Sequence, residues 1–254
     1  RKVIAINMEK RGMGLNGDLM STQVASALMR ELKTGIYADA EKLPAEMELA
    51  GQYGVSRTVI RDALSDLENA GFIERVRGVG TVVNRRIVAL DNRLDLKLEY
   101  SDMIWSMGSR PVVDSIVLRE ESASETAADR LGVPPGGRLI ACRKRVLANR
   151  RPVIYSVDYI PQSIFDGIDY MALDWYQPIF DLLSKYCGLN VTNSITHVSA
   201  TNGDSFIRSM LTPGEGAALL LLEEVSFCKL NRPVLYSLSY YTSFFDFTLL
   251  RKKF

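Results

Sequence analysis

The chain of 254 residues has a single histidine, His197, and only three cysteines, with no C-x-x-C pair among them. Cys142, Cys187 and Cys228 are odd in number and widely spaced, so neither a zinc framework nor a disulfide scaffold is indicated, and reduced thiols in a core are expected. One histidine beside the strand-like run SITHVSAT leaves no base for a nucleophilic triad, and a Walker loop and a dinucleotide fingerprint are missing too. No catalytic residue, no metal and no cofactor is therefore expected. An excess of one charge is also missing: 31 Lys and Arg stand against 30 Asp and Glu, a formal net charge of +1, so any basic binding surface must be local. The longest apolar run, residues 217–222, is far short of the roughly 20 residues of a membrane helix. The N-terminal stretch RKVIAINMEKRGMGLNGD carries a short apolar piece without a small-residue cleavage site. The expectation is a cytoplasmic protein with no membrane partner, large enough for two domains.

What the sequence does contain starts with three helical patterns. From Leu19, with Ser21 as the expected N-cap, Val24, Leu28, Leu32 and Ile36 form a stripe at four-residue spacing, with Gly35 near the end. KLPAEMELAGQYG reads as a short second helix: Pro44 suits the first turn, Glu46 and Glu48 favour the positive end, and Leu49 and Tyr53 face inward. Gly54 closes it. After a turn of about three residues Ser56 caps a third helix, which buries Val59, Ile60, Ala63, Leu64 and Leu67 and stops at Gly71. Two helices joined by so short a glycine turn cross steeply, as in a helix-turn-helix, and the second is exposed at its leading end. Arg57 and Arg61 lie there, one turn apart on one side. Their forks suit guanine edges or phosphates in a major groove; a solvated face with Arg61 paired to Asp62 or Asp66 is the alternative. FIERVRGVGTVV then reads as two strands, residues 72–76 and 81–83, joined through Gly78 and Gly80 with Arg75 and Arg77 beside them, which is the pattern of a wing.

KLPAEMELAGQYGVSRTVIRDALSDLENAGFIERVRGVGTVV resembles the winged-helix domain of GntR-type bacterial transcription regulators. The resemblance implies DNA contacts from Glu46 and from Ser56, Arg57, Thr58, Val59 and Arg61 of the recognition helix. From the wing it adds Arg75, Arg77, Gly78, Gly80 and Thr81. Met47 stands where many members carry arginine, and Val79 replaces a polar residue at the wing tip, so the base preference is expected to differ from the family's usual half-site.

After Val83 the charged stretch NRRIVALDNRLDLK has no periodicity and is expected to be a linker. Beyond it two segments repeat. DRLGVPPGGRLIACRKRVLANRRPVIYSVDY and RSMLTPGEGAALLLLEEVSFCKLNRPVLYSLSY align on R-P-V-[IL]-Y-S, with Pro152 matching Pro233 and one residue of slippage upstream. Each copy reads as helix, turn, strand, turn and strand, which gives a mostly antiparallel sheet with helices on one side. Arg143 and Arg145 share a strand face opposite a hydroxyl-bearing pattern. Either an intramolecular carboxylate or a bound anion is expected to pair them.

LEYSDMIWSMG, LIACRKRVLANRRPVIYSVDYIP and LNRPVLYSLSYY are similar to the UTRA ligand-sensing domain of the HutC branch of that family, whose fold is like chorismate lyase. The resemblance implies an effector pocket from Ser101, Arg143, Arg145, Tyr155, Ser156, Tyr236, Ser237 and Tyr240. Leu98 and Glu99 stand where sugar-phosphate sensors have hydroxyls, Ser156 replaces a glutamate and Thr242 an arginine. The expected fold class is α+β: an extension over residues 1–17, a winged helix-turn-helix over 18–84, a linker over 85–96 and an effector and dimerisation domain over 97–254. The expected protein is a homodimeric repressor that binds double-stranded operator DNA and is released by a small metabolite, an anionic one if Arg143 and Arg145 hold it. A constitutive dimer without effector, and a lyase-like enzyme fused to a DNA-binding head, are the alternatives.

Overall fold

A computed structural model describes residues 17–96 and 99–253. Of the expected N-terminal extension only Gly17 is among them, and Lys97, Leu98 and Phe254 of the expected effector domain lie outside them. The described chain forms two units that meet in sequence between Leu90 and Asp91.

In the first unit, α1 (Gly17–Thr34) is followed by β1 (Lys42–Leu43), α2 (Glu46–Tyr53), α3 (Arg57–Asn69), β2 (Ile73–Val76), β3 (Gly80–Val83) and α4 (Arg85–Val88). Val24, Leu28 and Leu32 are buried as their spacing requires. The stripe ends sooner than expected, because α1 stops at Thr34 and leaves Ile36 66% exposed, with Tyr37 buried in its place. At that end Glu31 folds back so that its carboxylate accepts from Ile36 N at 2.8 Å. A Cβ at Gly35 would lie 2.7 Å from the Glu31 Cα, so only glycine fits under that cap. Ser21 is a buried residue inside α1 and not its N-cap, and Pro44 precedes α2, whose N-cap is Ala45. The α2–α3 turn follows the sequence closely. Gly54 takes the left-handed conformation at φ 66°, and the Ser56 Oγ accepts from Val59 N at 3.3 Å. Ile60, Ala63, Leu64 and Leu67 are buried, while Val59 is only half-buried. The wing gains a third strand that sequence did not indicate: β1 pairs with β3, which pairs with β2, all antiparallel.

The linker expected over 85–96 is divided between the two units. Arg85 donates from Nη1 to the Leu32 carbonyl and from Nε to the Ala40 carbonyl, each at 2.9 Å, and also to the Tyr37 carbonyl. It thereby closes the end of α1 and holds α4 in the first unit. On the other side of the boundary, Arg93 bridges to Thr248, and Leu94 N donates to the Thr248 carbonyl at 2.8 Å, within the second unit.

The second unit holds α5 (Tyr100–Ser106), β4 (Pro111–Ser122), α6 (Glu125–Leu131), β5 (Arg138–Ala148), β6 (Arg151–Pro161), α7 (Ile179–Cys187), β7 (Asn193–Thr201), α8 (Ser205–Leu211), β8 (Leu219–Cys228) and β9 (Arg232–Tyr241). Six strands form one antiparallel sheet in the order β4-β5-β6-β9-β8-β7. The order is that of two three-stranded halves joined through β6 and β9. Val157 lies opposite Leu238, and these two are equivalent in the sequence repeat, so an approximate two-fold axis passes between them. Equivalent bulges follow Val146 and Ser226. The slippage of one residue sits in the hairpin turns. Asn149 and Arg150 make the first turn at φ 47° and 73°; Leu230 and Asn231 make the second at φ 62° and 53°, with Lys229 added ahead of them.

The helices are not confined to one side. α6 and α8 pack on the face carrying Leu139, Tyr155, Val157, Leu219, Val225 and Tyr236. α7 covers Ile140, Cys142, Ile160 and Leu235 on the opposite face, and α5 covers Val146, Ile154 and Phe245. A sheet whose two faces both carry alternate apolar residues must be covered twice, and the alternation in β5 and β6 supplies both sets. Cys142 and Cys228 are buried and Cys187 half-buried, all as free thiols. No helix among the described residues is long and apolar enough to cross a membrane.

Candidate functional sites

The first site is the leading end of α3. Arg57 and Arg61 have side chains 58% and 61% exposed, and Thr58 is exposed between them. Neither expected partner, Asp62 or Asp66, holds Arg61. Glu46 of α2 reaches both forks instead, with its Oε2 3.4 Å from Arg57 Nη2 and 3.7 Å from Arg61 Nη2. One carboxylate thus ties the two helices of the motif at the point where both arginines leave the surface. Contacts this long and exposed are weak, so the forks are aligned yet available to a stronger acceptor. Glu46 thus lies beside both arginine forks.

At the wing, Gly78 and Gly80 are exposed at φ 78° and 108°, conformations that only glycine adopts freely. Arg77 and Val79 are exposed at the tip and Thr81 is half-buried in β3. Arg75 is placed differently. Its guanidinium meets Glu68 at 2.6 Å and Ser65 Oγ at 3.1 Å, and its backbone N–H also donates to Glu68 at 2.7 Å, which fastens the wing to α3. Lys42, which the sequence did not single out, donates from β1 to the Val79 carbonyl at 3.2 Å and adds a cation beside the tip. Strand β1 is too short to be read from sequence, so nothing there marked Lys42 as part of the wing.

The second site is a cavity of about 420 Å³ in the second unit, on the α5 and α7 face of the sheet. Its floor comes from alternate residues of the inner strands: Lys144 of β5, Ser156 and Asp158 of β6, Ser237 and Ser239 of β9, and Glu224 of β8. Residues 92–96, Glu99, Tyr100 and Met103 form part of its wall. Asp158 is buried and its Oδ1 accepts from Ser237 Oγ at 2.6 Å. Lys144 is 2% exposed and donates from Nζ to the Gln177 carbonyl at 3.1 Å. Glu224 accepts from Thr196 Oγ1 at 2.7 Å. Lys144 and Glu224 are equivalent in the repeat, since Lys144 lies opposite Ser156 and Glu224 opposite its counterpart Ser237. The approximate two-fold axis therefore sets a cation and an anion at corresponding places on the floor. Burial, then Glu99 and Asp158, push the Tyr100 phenol up to about 12. Burial pushes Tyr241 up to about 12 as well, against a lowering hydrogen bond with Ser239 and with Asp158 and Glu99 adding to the rise.

Of the residues expected to build an effector pocket, Ser156 and Ser237 line this cavity. Arg143, Arg145, Tyr155, Tyr236 and Tyr240 do not, because adjacent strand residues point to opposite faces and these sit one residue out of phase with the floor. Ser101 lies between Tyr100 and Met103 in α5 but is not part of the lining. The two arginines meet carboxylates of the chain itself: Arg143 pairs with Glu121 and Arg145 with Asp114, each at 2.7 Å. The intramolecular pairing is the one realised, and Lys144 between them faces the cavity. Tyr159 stacks on Tyr236 with ring centroids 5.9 Å apart, and Tyr155 meets Phe206 edge-on, so these rings pack the α6 and α8 side.

Comparison with known proteins covers both parts of the chain. The gntR family of bacterial regulatory proteins matches residues 20–83, and the UTRA domain matches residues 106–243. YurK of Bacillus subtilis (strain 168), an uncharacterized HTH-type transcriptional regulator, is 25% identical over 221 residues, 85% of this chain and 88% of its own. The HTH-type transcriptional regulator GgaR of Escherichia coli (strain K12) is 22% identical over 233 residues, 92% of this chain and 91% of its own. A protein named "Probable fructoselysine utilization operon transcriptional repressor" from Escherichia coli (strain K12) is 26% identical over 151 residues, 59% of this chain and 61% of its own. Among solved structures, YydK of Bacillus subtilis superposes with a TM-score of 0.68 at 20% identity, over 92% of this chain and all of that one. PhnF of Mycobacterium smegmatis superposes with a TM-score of 0.57 at 22% identity, over 90% of this chain and 99% of that one. At these identities the superpositions speak for the fold. The chain belongs to the gntR family of bacterial regulatory proteins, with a UTRA domain following its helix-turn-helix domain in sequence, and is a DNA-binding transcription regulator and not an enzyme.

Proposed function

We propose that this regulator is a cytoplasmic, homodimeric repressor whose operator complex is released when a small molecule enters the cavity bounded by Lys144, Ser156, Asp158, Ser237 and Glu224. The observation that carries the proposal is the wall of that cavity. Residues 92–96 form part of it, and they begin two residues after Leu90, the last residue of the first unit. A ligand that changes the conformation of this wall acts on the segment by which the chain leaves its DNA-binding part. Repression is supported by the Escherichia coli relative named "Probable fructoselysine utilization operon transcriptional repressor".

The DNA contacts proposed are Arg57, Thr58 and Arg61 for base edges and phosphates, with Glu46, Ser56 and Val59 holding them in place. Arg77, Gly78, Gly80, Thr81 and Lys42 serve the phosphates at the wing, and Arg75 keeps the wing fixed on α3. A single winged helix makes few phosphate contacts and binds weakly at cellular salt, so two copies on half-sites about 34 Å apart are proposed. Sedimentation of the full chain with and without a palindromic duplex tests the dimer; a monomer in both states overturns it. The release step is tested on an operator selected from random duplexes, with fluorescence anisotropy as the readout. Ser239→Trp fills the cavity and should abolish ligand-driven release, whereas release equal to that of the parent protein would locate the effector elsewhere.

A further inference from the structure

We infer that two copies of this chain join along β7, edge to edge and antiparallel about a two-fold axis, so that their six-stranded sheets become one continuous sheet. This rests on the homodimer reading given above and adds the surface and its geometry. β7 (Asn193–Thr201) is the last strand of its sheet, and among the described residues only β8 pairs with it. None of its nine residues is buried: Ile195 is 58% and Val198 51% exposed, and residues 197–200 are exposed throughout. The strand, NSITHVSAT, contains no Lys, Arg, Asp, Glu or Pro, and its pairing with β8 runs from Asn193 to Thr201 without a register shift. Charged side chains, proline and bulges are the devices that keep an exposed edge from pairing. β7 has none of them, and it leaves open the outward N–H and C=O groups of a strand about 30 Å long.

The opposite edge of the sheet points to a second copy as the occupant. β4 (Pro111–Ser122) also shows apolar side chains, with Val112 and Val117 41% and 40% exposed. It is blunted nonetheless: it starts at Pro111, carries Asp114, Arg119, Glu120 and Glu121, and breaks register between Val113 and Ser115. Adding β4 of one copy to β7 of the next would be a head-to-tail contact, which grows into a fibre, and the charges and the bulge of β4 oppose it. What remains is β7 against β7, a contact that uses the same strand on both sides and closes at two copies. Side chains opposite each other across an antiparallel seam share a face of the sheet. Ile195, His197 and Ser199 therefore meet the same group of the second copy on one face, and Thr196, Val198 and Ala200 meet theirs on the other. Neither group contains a lysine, an arginine or a carboxylate, so two copies meet without like charges across the seam, and Ile195 and Val198 lose exposed apolar surface.

Sedimentation of the full chain over a range of concentrations tests the inference. Val198→Lys sets like charges across the seam in both copies and should raise the dissociation constant of the dimer by about a hundredfold or more, whereas Val117→Lys on β4 should leave it unchanged. Ile195→Lys is the second variant should Val198→Lys fail to fold, and it should act in the same direction from the other face. Val198→Lys should also weaken a palindromic operator while its affinity for a single half-site stays that of the parent, which damage to the DNA-binding part would not do. Hydrogen exchange of the parent protein needs no variant: the alternate amides of β7 that point away from β8 should be protected in the dimer and lose that protection on dilution to monomer. A parent chain that stays monomeric with and without operator overturns the homodimer reading and this inference together. A dimer that persists in both Val198→Lys and Ile195→Lys, or outward β7 amides that exchange freely in the dimer, overturns the inference alone and assigns the homodimer to another surface. Dissociation by Val117→Lys in place of the β7 variants overturns it too and moves the seam to β4.

Discussion

Arg57 and Arg61 gain their meaning from Glu46, eleven residues before the first of them. The arginines were legible in sequence, because an i, i+4 pair on a capped helix must share a side. Glu46 as their common partner was not, because it depends on how α2 crosses α3. Arg57→Ala should weaken a selected operator by about 1–3 kcal/mol and random DNA by less, measured by anisotropy at one salt concentration. Equal losses would make Arg57 a phosphate contact only. Lys42→Ala should weaken both duplexes alike and reduce the slope of log affinity against log salt by about 1. The second unit shows where reading by residue stops. Arg143 and Arg145 looked like an anion site, but their partners Glu121 and Asp114 lie 22 and 31 residues upstream in β4. Pairing across strands is invisible until the register is known, and a shift of one residue puts Lys144, and not the two arginines, at the cavity. The floor serines at 156 and 237 could be read because the R-P-V-[IL]-Y-S motif fixes their phase in both copies.

At the scale of elements, the repeat carried most of the legible information. Two copies of helix and hairpin were readable from one motif, whereas the outer strands β4 and β7 lie outside both copies, and the sheet order joins the halves through β6 and β9. What the motif could not supply was the second layer of helices, since α5 and α7 belong to neither copy. The comparison of copies also predicts a stabilising change. Leu230 is fully exposed at φ 62°, in a turn where the first copy carries Asn149 at φ 47°. A leucine held there costs about 1 kcal/mol, which asparagine reduces. Leu230→Asn should raise stability by roughly 0.5–1 kcal/mol in urea denaturation of the second unit's transition, with no change in DNA affinity. The stretch after the wing shows the opposite failure. Its charges resembled a linker, but Arg85 closes the end of α1 through the carbonyls of Leu32, Tyr37 and Ala40. Three carbonyls lose a charged donor in Arg85→Ala, so the first unit should lose about 2 kcal/mol, seen as faster hydrogen exchange at the amides of residues 32–40. Unchanged exchange would show that water replaces the guanidinium without loss.

For the whole molecule the decisive feature is continuity of the chain. Leu90 ends the first unit, and Asn92, two residues on, already lines the cavity. Thr248 N donates to the Asn92 carbonyl at 3.2 Å and Leu94 N to the Thr248 carbonyl at 2.8 Å, so the segment is pinned between the cavity and the chain's end. A ligand that engages Asn92 Oδ1 acts on this short stretch directly. If that engagement lowers operator affinity, the coupling is a free energy shared by two binding events, and it must appear with equal size in both directions. A coupling of about 1–3 kcal/mol corresponds to roughly 5- to 150-fold. The operator duplex should therefore weaken the effector by the same factor by which the effector weakens the operator, when both are titrated by calorimetry on the full chain at one salt concentration. Asn92→Leu removes the acceptor, and it should reduce the two factors together while Arg57→Ala leaves their ratio at unity. Effector affinity that is indifferent to saturating operator, alongside genuine effector-driven release, would show that the site titrated by calorimetry is not the one that drives release.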